Sequence, residues 1–71
     1  MSSEIIIKFG NKVREERVKL GISQEELAAR ARVHRTYIGM IERAEKNITL
    51  ESIEKICKAL DLSISHFFKD L

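Results

Sequence analysis

Apolar residues recur every three or four positions along nearly the whole chain, in short runs separated by polar or glycine-containing breaks. In a helix, this spacing gathers the apolar side chains of one run on one face, which can then pack against a core. No alternation of apolar and polar residues persists long enough to indicate a strand, and the chain contains no proline. The pattern therefore predicts an all-α fold of about five short helices.

Capping residues indicate where these helices begin and end. The first helix is predicted from Glu4 to Leu20, because Gly21 suits the left-handed residue that terminates a helix. The second is predicted to begin at Ser23 with a capping box, in which the hydroxyl accepts the Glu26 amide and the Glu26 carboxylate reaches back. The other three helices are predicted at about residues 34–43, 49–60 and 63–71.

The chain has 71 residues, which predicts one domain, 1–71, close to the lower limit for a core without disulfides or metals. Cys57 is its only cysteine, so no disulfide can form within the chain. His34, Cys57 and His66 are too widely separated for zinc-site spacing, and we expect no metal. Stability is expected from apolar packing with the help of a partner subunit.

Charge and hydropathy restrict the function further. The longest apolar run, Ile5 to Ile7, is too short for a membrane span, and no signal-peptide pattern follows Met1, so a cytoplasmic protein is expected. The net charge is only +2, and its distribution is more informative. Residues 1–22 carry five basic and three acidic side chains, whereas residues 48–71 carry three and four. Residues 1–22 are therefore favoured as the part of the chain that would contact the phosphates of a nucleic acid.

The second and third helices have the pattern of a helix-turn-helix, over about residues 23–43. Ala28 and Ala31 are short enough for close helix crossing, while Ile38 and Ile41 anchor the third helix from its inner face. The residues expected on its outer face are Arg35, Thr36, Gly39 and Met40. A helix that is apolar inside and able to contact bases outside is suited to the major groove.

In these segments the chain resembles the helix-turn-helix family of Cro and the phage repressors. The resemblance lies in QEELA at 24–28, VHRTYI at 33–38 and IER at 41–43, and it extends over residues 9–68. Within that family, residues 34–39 and 41–49 most resemble the controller proteins of restriction-modification systems. The resemblance implies a five-helix, lambda-repressor-like domain that dimerises through about residues 48–71 and binds a palindromic operator.

The resemblance also implies roles for individual residues. Arg35 and Thr36 should contact base edges, since arginine can bind guanine bidentately and the threonine methyl can touch thymine. Arg17 should form a structural ion pair with Glu42. The residues expected to contact the DNA backbone are Gln24, Tyr37, Arg43, Lys46 and Asn47. The alternatives are a solvated helix face for Arg35 and Thr36 and a packing role at the rim for Tyr37. For Arg43, Lys46 and Asn47 the alternative is ordinary loop polarity.

Three positions depart from the family pattern. The family often has glycine where Arg32 and Ala44 stand, and a left-handed side chain at either position would cost on the order of 1 kcal/mol. Glu45 places a negative charge beside the loop expected to face phosphate. These departures concern the geometry of the loops, since the motif itself is retained.

The last helix contains two adjacent aromatic residues, Phe67 and Phe68, which cannot both turn into one core. We expect one to pack inside and the other to meet a second subunit together with Ile64. Because the sequence does not say which ring turns outward, Ile64, Phe67 and Phe68 are all assigned to the interface as candidates. Ser63, Ser65 and His66 lack a positioned acid or an oxyanion hole, and the protein is not expected to be an enzyme.

The sequence thus predicts a homodimeric regulator of transcription that binds double-stranded DNA, with RNA polymerase as a further candidate partner. As a restriction-modification controller it would regulate its own operon and the endonuclease gene. The alternatives are a short phage-type repressor, an antitoxin or adaptor that binds a protein, and a nucleoid-type binder without sequence preference. No cofactor or small-molecule ligand is expected, because nothing follows the DNA-binding domain that could form a sensor.

Overall fold

The computed structural model describes residues 3–69 and 71, and this part of the chain forms five α-helices and no strand. The helices are α1 (Glu4–Lys19), α2 (Gln24–Ala31), α3 (Arg35–Glu42), α4 (Leu50–Ala59) and α5 (Ile64–Phe68). None of the described helices is long and apolar enough to cross a membrane. The all-α prediction is confirmed, with differences of a few residues at the helix ends, where assignments vary most.

Each of these helices begins at a side chain that caps its free amides. The capping residues are Ser3, Ser23, His34, Thr49 and Ser63. The His34 Nδ1 atom accepts the Thr36 amide at 3.1 Å, which gives this histidine a structural role. The Ser23 hydroxyl accepts the Glu26 amide at 3.0 Å, as predicted. The Glu26 carboxylate, predicted to reach back to Ser23, instead pairs with Arg30 at 3.0 Å, because the two lie one helical turn apart.

The first four helices end in the same way. The residue that reverses the chain has a positive φ each time: Gly21 (69°), Arg32 (59°), Ala44 (59°) and Asp61 (61°). The following amide then donates to the carbonyl five residues earlier, for example Val33 to Ala28 at 3.0 Å. This Schellman motif satisfies the last carbonyls of a helix. Arg32 and Ala44 are therefore left-handed despite their side chains, at a cost of about 1 kcal/mol each.

The core draws side chains from all five helices. Its buried residues are Phe9, Val13, Leu27, Ala28, Ala31, Ile38, Ile41, Ile56, Cys57, Leu60 and Phe67. Cys57 is a packed residue, as predicted, and burial raises the pKa of its thiol. A thiol with a raised pKa is a poor nucleophile at neutral pH, which agrees with a role in packing.

Helices α1 and α3 touch through their backbones at Gly10. A Cβ atom placed on Gly10 would overlap the carbonyl oxygen of Ile41. Glycine inside a helix lowers stability by about 0.5–1 kcal/mol relative to alanine, so a glycine here needs a compensating contact. The close approach of α3 provides it, and it is a role that the sequence analysis did not assign.

The two aromatic residues of α5 are divided between the core and the surface. Phe67 is 0% exposed, and its ring lies 5.2 Å from the ring of Phe9. Phe68 is half-buried beside the same ring, with 5.6 Å between centroids. The prediction that one of the two rings packs inside is confirmed, and that ring is Phe67. Its assignment to the subunit interface is therefore wrong, because a fully enclosed ring cannot touch a second chain. Ile64 and Phe68 remain accessible.

Candidate nucleic-acid interface

Helices α2 and α3 form the predicted helix-turn-helix. Ala28 is buried in the core that α2 and α3 share, and Ile38 and Ile41 on the inner face of α3 have no exposed surface. The opposite side of α3 begins with Arg35 and Thr36, which are both exposed. The helix is thus held from its apolar side, and its first turn presents hydrogen-bonding groups to solvent.

The outer face of α3 is narrower than predicted. Gly39, expected to point outward, is buried. A Cβ atom on Gly39 would lie 3.0 Å from the Arg43 Nη1 atom and 3.5 Å from the Gln24 Oε1 atom. The missing side chain therefore lets Gln24 and Arg43 lie over the helix. Met40 is half-buried, so Arg35 and Thr36 form most of the accessible part.

An open concavity of about 580 Å³ lies between the starts of α2 and α3. Its lining residues are Arg17, Ser23, Gln24, Glu25, Arg35, Thr36, Gly39 and Arg43. Four of the residues predicted to contact DNA, two for bases and two for the backbone, are therefore gathered on one surface. We call these eight residues the α2–α3 surface.

The three other predicted backbone contacts lie outside this concavity. Tyr37 is half-buried and packs against the core. Lys46 and Asn47 are exposed in the segment that joins α3 to α4. Asn47 lines a separate apolar groove together with Ile5 and Ile48. The contacts that these three residues make with DNA remain predictions.

A part-buried hydrogen-bonded network lies beneath the α2–α3 surface. Arg17 donates to the Glu42 carboxylate through Nε at 2.7 Å and through Nη2 at 3.1 Å. The Arg17 Nη1 atom donates to the Ile22 carbonyl at 2.9 Å. Gln24 donates from Nε2 to the same carboxylate at 3.0 Å. The network thus joins α1, α2 and α3 through one carboxylate, and it contains the predicted pair of Arg17 and Glu42.

The electrostatics of this network are those of a structural ion pair. The Arg17 side chain is 14% exposed and that of Glu42 is 4% exposed. The hydrogen bonds to Glu42 raise the pKa of Arg17, although burial alone would lower it. Because Gln24 uses only one of its two amide hydrogens on Glu42, its second hydrogen is free to point toward a ligand. Glu42 therefore positions Gln24 as well as neutralising Arg17.

Two exposed arginines at this surface pair with glutamates. Arg35 Nη1 lies 3.0 Å from Glu25 Oε2, and Arg43 Nε lies 3.1 Å from Glu45 Oε2. From the sequence, Glu25 was assigned only to the positive end of the second helix, and its contact with Arg35 was not predicted. The sequence indicated this contact only by a charge pattern, with a glutamate at the start of one short helix and an arginine at the start of the next. Each glutamate offsets the charge of its arginine but leaves further guanidinium N–H donors, which can bind the hydrogen-bond acceptors of a ligand. Within residues 3–69 and 71, no group of three or more His, Cys, Asp or Glu residues could hold a metal.

Comparison with known proteins gives consistent matches. A helix-turn-helix family model matches residues 13–67. Control protein C.BamHI of Bacillus amyloliquefaciens is 51% identical over 61 residues, which cover 84% of this chain and 75% of that protein. The restriction-modification controller protein C.AhdI of Aeromonas hydrophila is 38% identical, with a TM-score of 0.89 over 93% of this chain and 100% of that one. The controller protein C.Esp1396I, solved as a tetramer in complex with its natural 35 base-pair operator, is 37% identical, with a TM-score of 0.91 over 96% of this chain and 90% of that one.

Proposed function

The chain belongs to the helix-turn-helix family that includes the controller proteins of restriction-modification systems, and we propose that it binds an inverted-repeat operator as a homodimer. Controller proteins are regulators of transcription, and this chain carries their complete helix-turn-helix. The observation that carries the proposal is the exposed first turn of α3, where Arg35 and Thr36 project from a helix anchored on its other side. This arrangement supports insertion of α3 into the major groove.

Base recognition is proposed for the first turn of α3. Arg35 would donate two hydrogen bonds to guanine, and the Thr36 methyl would contact thymine. The backbone contacts, which set the position of the protein on the duplex, are proposed for Gln24, Tyr37, Arg43, Lys46 and Asn47. In a homodimer, the two α3 helices would occupy successive major grooves about 34 Å apart.

The homodimer is supported by an apolar surface at the other end of the chain. Leu50 is 84% exposed and Ile64 is 46% exposed. They line one groove together with Ile53, Phe68, Glu51 and Glu54. We call this groove the α4–α5 surface. Contiguous exposed apolar area of this kind is typical of protein interfaces, and a second copy of the chain is the occupant we propose.

Regulation would follow from occupancy of the operator. The proposed targets are the gene of the protein itself and the endonuclease gene of the same system. C.Esp1396I binds its operator as a tetramer, and for this chain we propose an assembly of two dimers on adjacent sites. A first dimer would assist RNA polymerase and a second would block it, which gives activation at low protein concentration and repression at high concentration.

Fluorescence anisotropy tests the proposal with a labelled DNA fragment from upstream of the protein's own gene and a scrambled copy. We expect tight binding to the native fragment alone, and we expect Arg35→Ala to remove that preference. Equal binding to both fragments, lost together as salt rises, would contradict sequence recognition and indicate a phosphate binder. Binding to neither fragment would contradict the proposed function as a whole.

A further inference from the structure

Glu25 and Arg35 are held at the starts of two consecutive helices. Ser23 caps α2 through the Glu26 amide, and His34 caps α3 through the Thr36 amide. Both helix starts are thus fixed, and the core between α2 and α3 fixes one relative to the other. The contact of 3.0 Å between Arg35 Nη1 and Glu25 Oε2 therefore joins two side chains whose backbones cannot drift apart.

The helix dipole of α3 explains why a negative charge beside Arg35 is favourable. Arg35 is the first residue of α3, at the positive end of the helix dipole, where a cation is disfavoured. The first turn of α3 contains no acidic residue, whereas α2 has Glu25 and Glu26 in its first turn. Glu25 therefore supplies from α2 the negative charge that the start of α3 lacks. It draws the guanidinium over the α2–α3 surface, of which both residues are part.

Arg35 keeps hydrogen-bond donors that its contact with Glu25 does not use, and these could bind a base. Within the described part of the chain only its Nη1 atom donates a hydrogen bond, and the side chain is 67% exposed, so the Nε and Nη2 pair is left for a ligand. Arg17 differs, since its Nε and Nη2 atoms both bind Glu42. The parallel N–H groups on Nε and Nη2 form a fork that matches the O6 and N7 acceptors of guanine.

We propose that Glu25 is a positioning residue that orients Arg35 for bidentate reading of guanine, and so determines specificity. The inference rests on the proposed operator binding and deepens it. Glu25 holds one end of the guanidinium while the fork on the other end contacts the base. The pair then persists in the complex, and the side chain loses less conformational freedom on binding because it is already ordered.

The test compares Glu25→Gln with the wild-type protein by fluorescence anisotropy. The probes are the native upstream fragment and the same fragment amplified with 7-deaza-dGTP, which removes the N7 acceptor of every guanine. We expect Glu25→Gln to weaken binding to the native fragment by about twofold to fivefold, the range for an exposed ion pair. We also expect a smaller loss of affinity on 7-deazaguanine substitution in the variant than in the wild type.

Two further variants separate positioning from other effects. Glu26→Gln makes the same change in charge one residue along, but Glu26 pairs with Arg30, so this variant should not weaken operator binding. In an Arg35→Ala background, Glu25→Gln should have no effect, because the group that it positions is gone. A twofold to fivefold loss in that background as well would overturn the inference, since Glu25 would then act on folding or on DNA directly.

Two other results for Glu25→Gln would overturn the inference. Tighter binding of Glu25→Gln to the native fragment would overturn the inference and show that Glu25 competes with DNA for Arg35. Unchanged binding would overturn it too. In both cases the proposed function would stand, because the wild-type protein would still select the native fragment. Failure of the wild-type protein to select that fragment would instead overturn the proposed function, and the inference with it.

Discussion

The α2–α3 surface and the α4–α5 surface differ in whether their side chains have interaction partners within one chain. At the α2–α3 surface, Arg17, Arg35 and Arg43 each pair with a glutamate. At the α4–α5 surface, Leu50 and Ile64 expose apolar area that nothing in the described residues covers. The polar surface can bind DNA through the hydrogen-bond donors that its ion pairs leave unused, whereas the apolar surface gains only by being buried. We therefore expect reversible, salt-sensitive binding at one end and association with a second copy at the other.

Salt separates the two surfaces most strongly. Binding to the upstream fragment should weaken roughly 100-fold per bound dimer between 50 and 200 mM salt, because the two cationic backbone contacts proposed for each subunit, Arg43 and Lys46, release counterions. The dimer dissociation constant should change far less, since burial of apolar area does not weaken as salt is added. Anisotropy and sedimentation equilibrium over the same salt series measure the two constants. Parallel changes in both would show that the interface is not the apolar surface.

Removal of the carboxylate beneath the α2–α3 surface should have the next largest effect. Glu42→Ala leaves the part-buried Arg17 without its counter-charge, so we expect a loss of about 3–5 kcal/mol in the free energy of unfolding. Urea denaturation followed by circular dichroism measures it. The matched control is Glu45→Ala, which removes an exposed partner of Arg43 and should leave stability nearly unchanged. Equal effects of both variants would mean that burial of the network contributes nothing.

A charge at the α4–α5 surface tests the other half of the comparison. Ile64→Asp should raise the dimer dissociation constant by roughly 30-fold, or about 2 kcal/mol, because the carboxylate would be buried in an apolar interface. Val18→Asp is the control, since Val18 is 59% exposed on α1 and lies outside this surface. Sedimentation equilibrium reports both. A dimer that tolerates Asp at position 64 would place the interface elsewhere.

The smallest effect concerns the loop that follows α3. Ala44 has a φ of 59°, and Ala44→Gly should raise the free energy of unfolding by about 0.5–1 kcal/mol, because glycine adopts this conformation without strain. The same substitution at the exposed Ala29 inside α2 should lower stability by about 1 kcal/mol. Urea denaturation should therefore give opposite signs for one chemical change. A loss of stability in both variants would contradict the left-handed assignment.

The sequence was sufficient where the signal is local. Caps such as Ser23 and Thr49, the terminator Gly21 and the helical spacing of apolar residues depend on neighbours within one or two turns. They predicted five helices, and the family resemblance was confirmed. The pairing of part-buried Arg17 with Glu42 was predicted only through that resemblance, since an arginine on the apolar stripe of α1 fitted either an exposed edge position or a buried pair.

Features that depend on the packing of helices could not be predicted in this way. Whether Phe67 or Phe68 enters the core depends on the rotation of α5, a helix of five residues with too few positions to define an apolar face. Glu25 meets Arg35 only because α2 and α3 meet at a particular angle. Gly10 was visible as a glycine inside a helix, a recognised sign of close approach, yet the sequence does not say which element approaches. The DNA contacts remain predictions.

Gly10 and Arg17 lie two turns apart on the same side of α1, and they touch successive residues of α3, Ile41 and Glu42. These two contacts fix both the distance between α1 and α3 and the tilt of α3 relative to α1. If α3 enters the major groove as we propose, a helix held in this way cannot tilt to fit a misaligned half-site. We then expect the duplex to adjust instead, so that base steps between the proposed half-sites that bend easily favour binding although no side chain touches them.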